Sequence, residues 1–218
     1  MEATTEHRSL PRLNEPAPDF EATTTQGAIK LSDLRGKWVV LFSHPADFTP
    51  VCSTEFMAFA QNYGEFEKRN AQLIGLSIDS VYSHIAWIRN IEQNGGVKVP
   101  FPVIADLDMK VASLFGMIHP GAAATATVRT VFFIDDKGIV RAMIYYPMSC
   151  GRNLDEILRV LDALQTADAN ACATPVNWRP GENVVVPAPA TQAAAEKRMS
   201  EEGLERFDWY LSKRPLKQ

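Results

Sequence analysis

With 218 residues, 46% of them hydrophobic and 22% charged, the chain can bury one good-sized core and carry an appendage. Its net charge of −4 gives no basic footprint for nucleic acid or an anionic membrane surface, and no apolar run approaches a membrane span. Three cysteines, Cys52, Cys150 and Cys172, with none in a C-x-x-C pair, suit a reducing compartment and argue against a disulfide scaffold.

The stretch Met1 to Arg12 is polar and lacks the apolar core of a secretory signal, so a cytoplasmic protein is expected. Phe20–Thr24 and Ala28–Leu31 read as a short hairpin around Gln26-Gly27. Trp38–Phe42 is an apolar run of buried-strand type, and the strand extends to residue 43. After it, Phe56, Phe59, Tyr63 and Phe66 recur at the spacing of one helix face. Gln72–Ile78 is the next strand, followed by a helix from about Val81 to Glu92 closed by Gly95-Gly96. Phe101–Ala105 is a short strand and Met109–Phe115 a short helix. Val128–Ile134 and Ile139–Tyr146 flank the turn Asp135-Asp136-Lys137-Gly138 and form a second hairpin.

Asn153 opens the clearest helix, with Glu156 three residues on in the manner of a capping box. Leu154, Ile157, Leu158, Leu161 and Leu164 make its core stripe. Strand, helix and strand, then an antiparallel hairpin and a last helix, predict an α/β fold: a thioredoxin-like domain with a mixed central sheet flanked by helices. The domain is expected to span residues 13–168. Residues 169–218 form a smaller C-terminal extension, with an extended stretch around Asn183–Val186. Its final helix is predicted over Thr191 to Lys213, carrying Phe207, Trp209, Tyr210 and Leu211 at its far end. Too short to fold alone, that extension should pack on the domain or on a neighbouring subunit.

The chemistry concentrates in His44-Pro45-Ala46-Asp47-Phe48-Thr49-Pro50-Val51-Cys52-Ser53, between the buried strand and its helix. Cys52 falls in the first helical turn, where free N–H groups and the helix dipole favour a thiolate. An ordinary thiol, with a pKa of about 8.5, is only about 3% ionised at pH 7. Thr49 can hydrogen-bond a bound oxygen or the sulfur, and it can also cap the helix. Pro45 and Pro50 stiffen the loop.

Arg129 sits near the end of a buried strand, on the face of Val131 and Phe133. An inward arginine needs an anion, for which the thiolate and Glu55 are the candidates; a solvated strand end is the plainer reading. Arg152 stands just before a helix, where a cation is mildly unfavourable and so should have another reason. His44 can donate to a reacting oxygen or serve the structure. His84, His119, Trp38 and Trp87 read as packing or surface. The histidines, His7 among them, are scattered, so neither a metal nor a cofactor is expected.

With these residues assembled, the chain resembles a peroxiredoxin of the one-cysteine, peroxiredoxin-six-like group. The likeness is carried by the His44–Glu55 segment, by Leu76-Ser77-Ile78-Asp79-Ser80, by Gly151–Arg159 and by Ala173-Thr174-Pro175-Val176-Asn177-Trp178. It runs from about Leu13 to Pro187.

The resemblance implies a thiol-dependent peroxidase that reduces hydrogen peroxide and organic hydroperoxides through a sulfenic acid on Cys52. In that reading Thr49 bonds the peroxide and Arg129 holds the thiolate. Arg152 is the second arginine, Glu55 positions an arginine, Pro45 shields the sulfur and His44 lines the site. An external thiol reductant (thioredoxin, glutaredoxin or a small thiol) is implied, as is a homodimer assembling into a ring such as a decamer. The alternative is a ring-forming holdase or peroxide sensor using the same cysteine. A dithiol oxidoreductase is disfavoured by the missing C-x-x-C.

Two departures matter. Some members carry a G-x-S-x-G motif before the active-site strand; Arg35-Gly36-Lys37-Trp38-Val39 has no serine, so no phospholipase activity is expected. Archaeal relatives carry resolving cysteines near the C-terminus, and Glu205–Ser212 has none. Cys150 and Cys172 are the remaining candidates for that role, or inert fillers.

Overall fold

The computed structural model describes residues 10–216. His7 and most of the polar N-terminal stretch lie outside them. The chain divides into two compact units, the first ending at Leu154 and the second starting at Asp155.

The first unit is built on a seven-stranded mixed sheet: β1 (Glu21–Thr24), β2 (Gly27–Lys30), β3 (Trp38–Ser43), β4 (Ala71–Ser77), β5 (Val103–Ala105), β6 (Arg129–Ile134) and β7 (Val140–Tyr146). Their order is β2-β1-β5-β4-β3-β6-β7. β3, β4 and β5 run parallel, and antiparallel partners flank them on both sides. Every residue of β3 and β6 is buried, as continuous apolar runs covered on both faces require.

The two-residue alternation of strands sorts the core into two layers. Val39, Leu41, Phe132 and Ile134 join Phe115 and Met117 on one face. Phe42 turns the other way, stacked on Phe59 at 4.4 Å and edge-on to Phe56 and Phe101. Phe42 pairs with Val131 across the β3–β6 ladder. Arg129, two residues before Val131, therefore faces this aromatic layer.

Helices α1 (Pro50–Gln61), α2 (Tyr63–Lys68), α3 (Val81–Gly95) and α4 (Lys110–Leu114) belong to the same unit. The periodicity of Phe56, Phe59, Tyr63 and Phe66 spans two helices. The chain breaks at Asn62 (φ −106°, ψ 13°), whose side-chain amide donates to the Ala58 carbonyl. Such self-bonding side chains compete with the helical ladder. Ser80 caps α3 through the Ser83 N–H, and Gly96, at φ +66°, closes it in the left-handed conformation that favours glycine.

The second unit holds most of α5 (Leu154–Asn170), with β8 (Val184–Val186), α6 (Gln192–Ser200), β9 (Glu205–Asp208) and β10 (Leu211–Arg214). The last three strands pair antiparallel in the order β8-β10-β9. Here the expectation of one long helix to Lys213 is corrected. Thr191 caps α6 at the Ala194 N–H, but the helix stops at Ser200. Gly203 then turns the chain at φ +78°, and the aromatic segment forms a hairpin around Trp209-Tyr210. Phe207 is a strand former, and pairing β9 with β10 satisfies backbone groups a frayed helix end would leave open.

Candidate active site

The loop from His44 to Thr49 leaves the end of β3 and enters α1. Phe48 adopts φ +56°, a left-handed conformation that costs a non-glycine residue roughly 1–3 kcal/mol and persists where surroundings over-determine it. Those surroundings are visible. The Asp47 N–H donates to the Asp79 carboxylate at 3.0 Å, and the Thr49 hydroxyl donates to the Ala46 carbonyl at 2.9 Å. Thr49 stands at the helix N-cap, but its hydroxyl makes no capping bond. Its proton is already given, so its oxygen is left to accept. Pro50 takes the first helical position, where its missing N–H costs nothing.

Cys52 lies in that first turn and is fully buried. The Arg129 Nη1 donates to its sulfur at 3.3 Å and to Glu55 Oε2 at 2.8 Å. The Arg129 Nε is held by the Met148 carbonyl at 2.9 Å. Arg152 completes the cluster. Its backbone N–H and Nε bond Glu55 Oε1 at 2.9 and 3.0 Å, its Nη2 bonds Glu55 Oε2 at 2.6 Å, and its Nη1 bonds the Ser43 and Thr130 carbonyls. The guanidinium also lies 4.9 Å over the Phe42 ring.

Both partners proposed for Arg129 are thus engaged at once. The reason for Arg152 is Glu55, and not the helix that follows it. Burial pushes the Arg152 guanidinium down from its ordinary pKa, while the Glu55 carboxylate opposes the shift. Two guanidiniums share one carboxylate, leaving one positive charge beside the sulfur.

His44 belongs to a second cluster. It is fully buried, and its Nε2 lies 2.9 Å from Asp47 Oδ1. Its Nδ1 has no partner. With the ring proton given to Asp47, Nδ1 is left to accept rather than donate. Burial lowers the His44 pKa, against the opposing pull of Asp47.

His84, read from the sequence as packing or surface, is buried too. Its Nδ1 meets the Asp47 carboxylate at 2.8 and 3.0 Å, and its Nε2 meets the Ile104 carbonyl at 3.1 Å. Burial raises the Asp47 carboxyl, but the bonds from His44 and His84 outweigh it and hold the group far below the ordinary carboxylate range.

Asp47 and His84 were missed as site residues, although His84 precedes Trp87 by one helical turn on the buried face of α3. The three groups have metal-ligating atoms within 4.8 Å of one another. Contacts of 2.8–3.0 Å suit direct hydrogen bonds, which a metal bonded at about 2.0–2.1 Å would have to displace.

The remaining candidates sit apart from the sulfur's direct partners. Pro45 is half-buried after His44. Cys150 is exposed in a turn, its thiol toward the Gly151 carbonyl at 3.6 Å. Cys172 is half-buried in the second unit, its thiol toward the Thr166 carbonyl at 3.8 Å.

A single buried cysteine at the start of a helix, on a thioredoxin-like sheet and held by an arginine, defines a thiol-based oxidoreductase. Comparison with known proteins narrows the class. Residues 13–143 match the AhpC/TSA family, and residues 163–202 match the C-terminal domain of 1-Cys peroxiredoxin. A peroxiredoxin of Aquifex aeolicus is 58% identical over 95% of this chain and 98% of its own length.

Two solved structures are similar. A yeast mitochondrial 1-Cys peroxiredoxin has a TM-score of 0.84 and 41% identity, covering 95% of this chain and all of that one. Peroxiredoxin 6 of Arenicola marina has a TM-score of 0.83 and 35% identity, covering 95% and 99%. The chain belongs to the AhpC/TSA family and is a peroxiredoxin closely related to the 1-Cys group, a thiol-dependent peroxidase.

Proposed function

We propose that Cys52 is the peroxidatic cysteine and that Arg129 and Thr49 act on the peroxide with it. The observation that carries this reading is the 3.3 Å bond from Arg129 to the buried sulfur. The thiolate attacks one peroxide oxygen, the S–O bond forms as the O–O bond breaks, and the departing oxygen takes a proton from solvent, equal to the one released when the thiol ionised, and leaves as water or an alcohol. Cys52 is left as a sulfenic acid, which an external thiol reduces.

Full ionisation raises the reactive fraction of an ordinary thiol only about thirtyfold, so the larger share comes from donors placed where charge develops. The Arg129 guanidinium is one. The Cys52 N–H is another, because the first intrahelical bond of α1 runs from the Ser53 N–H to the Thr49 carbonyl. The Thr49 oxygen accepts the peroxide's own proton bond. Glu55 and Arg152 are positioning residues: the Arg152 guanidinium bonds Glu55 and the Ser43 and Thr130 carbonyls. Pro45 and His44 border the pocket.

Residues 13–168 form the peroxidase domain, and residues 169–218 an extension that packs on it or on a neighbouring subunit. Exposed Phe48, Tyr82 and Ile85, which line one groove beside the active-site loop, support assembly with further copies into dimers and a ring such as a decamer. The reductant is thioredoxin, glutaredoxin or a small thiol. No helix among the described residues is long and apolar enough to cross a membrane, which is compatible with a cytoplasmic site of action.

The test mixes reduced protein with one equivalent of hydrogen peroxide, follows the rate and takes intact masses, beside Cys52→Ser. Rapid peroxide loss with one added oxygen, absent from the variant, is the expected result. Loss of two hydrogens, or a linked pair of chains, assigns resolution to Cys150 or Cys172. Oxidation that stops after one event and changes assembly favours the sensor. A rate no better than a free thiol's overturns the proposal.

A further inference from the structure

The oxygens facing His84 can only accept. Ile104 offers a backbone carbonyl, and Asp47 offers a carboxylate held ionised by its partners. A neutral imidazole donates through one nitrogen and turns a lone pair to the other partner. With acceptors at 2.8 Å from Nδ1 and 3.1 Å from Nε2, a lone pair at either position would face an oxygen lone pair. Hydrogen-bond accounting therefore gives His84 both protons, paired with the Asp47 charge.

The same accounting runs on to His44. Asp47 Oδ1 also accepts from His44 Nε2 at 2.9 Å, so that nitrogen carries the proton and Nδ1 is bare. A buried polar atom without a partner costs roughly 1–3 kcal/mol and calls for an explanation. The His44 ring packs edge-on to Phe56, one turn after Cys52 in α1, at 4.8 Å. It also lies 5.2 Å from Trp87, whose Nε1 donates to Ser53. The other charged groups around the cluster are Arg152, whose charge acts on His44, and Asp79, which accepts the Asp47 N–H.

We propose that His84 is a positioning residue of the peroxidase site: an imidazolium that, through Asp47, fixes His44 as the Nε2–H tautomer with a bare Nδ1. Its effect on turnover rests on the reading that His44 borders the Cys52 pocket; the protonation states do not. Without the hydrogen bond from His84 Nδ1, the Asp47 carboxylate is left with the His44 ring as its imidazole partner and draws a second proton onto that ring. Nδ1 then becomes a donor, and the chemistry presented at the pocket wall is inverted.

Long-range proton–nitrogen spectra of the reduced, nitrogen-15-labelled protein near neutral pH test this without any peroxide. The expected pattern is both His84 nitrogens protonated, with His44 protonated at Nε2 alone. Two variants then separate the bonds. His84→Gln keeps an amide donor where Nε2 meets Ile104 and removes the donor to Asp47, whereas His84→Asn keeps the donor to Asp47.

In His84→Gln, the His44 Nδ1 moves into the protonated range and the rate with peroxide falls about tenfold; in His84→Asn, Nδ1 stays bare and the rate recovers to within about threefold of wild type. A neutral His84 in the wild-type protein overturns the proposal, even where neither variant folds. So do unchanged His44 nitrogens in His84→Gln, or equal rate losses in both variants.

Discussion

Two buried charge clusters flank the start of α1, and they are built from different chemistry. On one side Glu55 holds Arg129 and Arg152, whose guanidiniums keep their protons under all ordinary conditions. On the other, Asp47 lies between the buried imidazoles of His44 and His84. Both hold one carboxylate between two nitrogen side chains. The difference teaches what each is suited to: the arginine cluster offers the sulfur a charge that pH does not remove, and the histidine cluster sets a proton position that pH and neighbours can change.

The comparison breaks most severely at the shared carboxylate. Glu55→Gln leaves two buried guanidiniums without their counter-ion, and removing one partner from a buried pair costs about 3–5 kcal/mol. Chemical denaturation should show that loss, and a change under 1 kcal/mol would mean that the cluster is solvated.

Next comes Arg129→Met, which removes the donor at the sulfur. The rate with peroxide should fall about 10²–10³-fold, the usual consequence of deleting one donor at a developing charge. Stopped-flow oxidation of Cys52 measures it, and an unchanged rate would remove Arg129 from catalysis.

The smallest effect sharpens the contrast through pH. Burial lowers the His44 pKa, so below about 6.5 the unfolded chain binds a proton that the folded protein does not, and stability falls as pH falls toward the folded value. Asp47 acts in the same direction further down. Its lowered value contributes stability above the ordinary carboxylate range and loses it as pH falls through the folded value. Within the His44 window each pH unit is worth up to about 1.4 kcal/mol. His44→Phe should flatten the fall in melting temperature between neutral and mildly acid pH, and Arg129→Met should leave that slope in place.

The arginine cluster was the more legible of the two. Arg129 stood out because a cation inside an apolar strand demands an anion, and Arg152 because a cation at a helix N-terminus needs another reason. For Arg129 the thiolate and Glu55, one turn after Cys52, were both available, whereas the reason for Arg152 was left open. His84 carried no such signal. A histidine at helical spacing from Trp87 is as good a packing residue as a proton carrier. Only the approach of α3 to the active-site loop brings it to Asp47.

A similar limit applied at the chain's end. The helix expected over Thr191 to Lys213 ends at Ser200, and beyond Gly203 the chain folds into the β9–β10 hairpin. Pairing of β10 with β8, some way back in the chain, as well as with β9 overrode the local expectation.

The amino-acid order by itself determined the strand–loop–helix frame and the place of Cys52 in the first turn of α1. Those rest on local physics: alternation in strands, recurrence of apolar residues along one helix face, and a proline at the first helical position. It also determined that Arg129 needed an anion. Tertiary structure decided which anions it met, that Arg152 bonds Glu55, that Phe207 lies on a strand with Trp209 and Tyr210 in the turn after it, and that His84 joins His44 on one aspartate. The contacts of His84, Arg129 and Arg152 join side chains 37 to 97 residues apart in the chain, and no local periodicity encodes such a meeting.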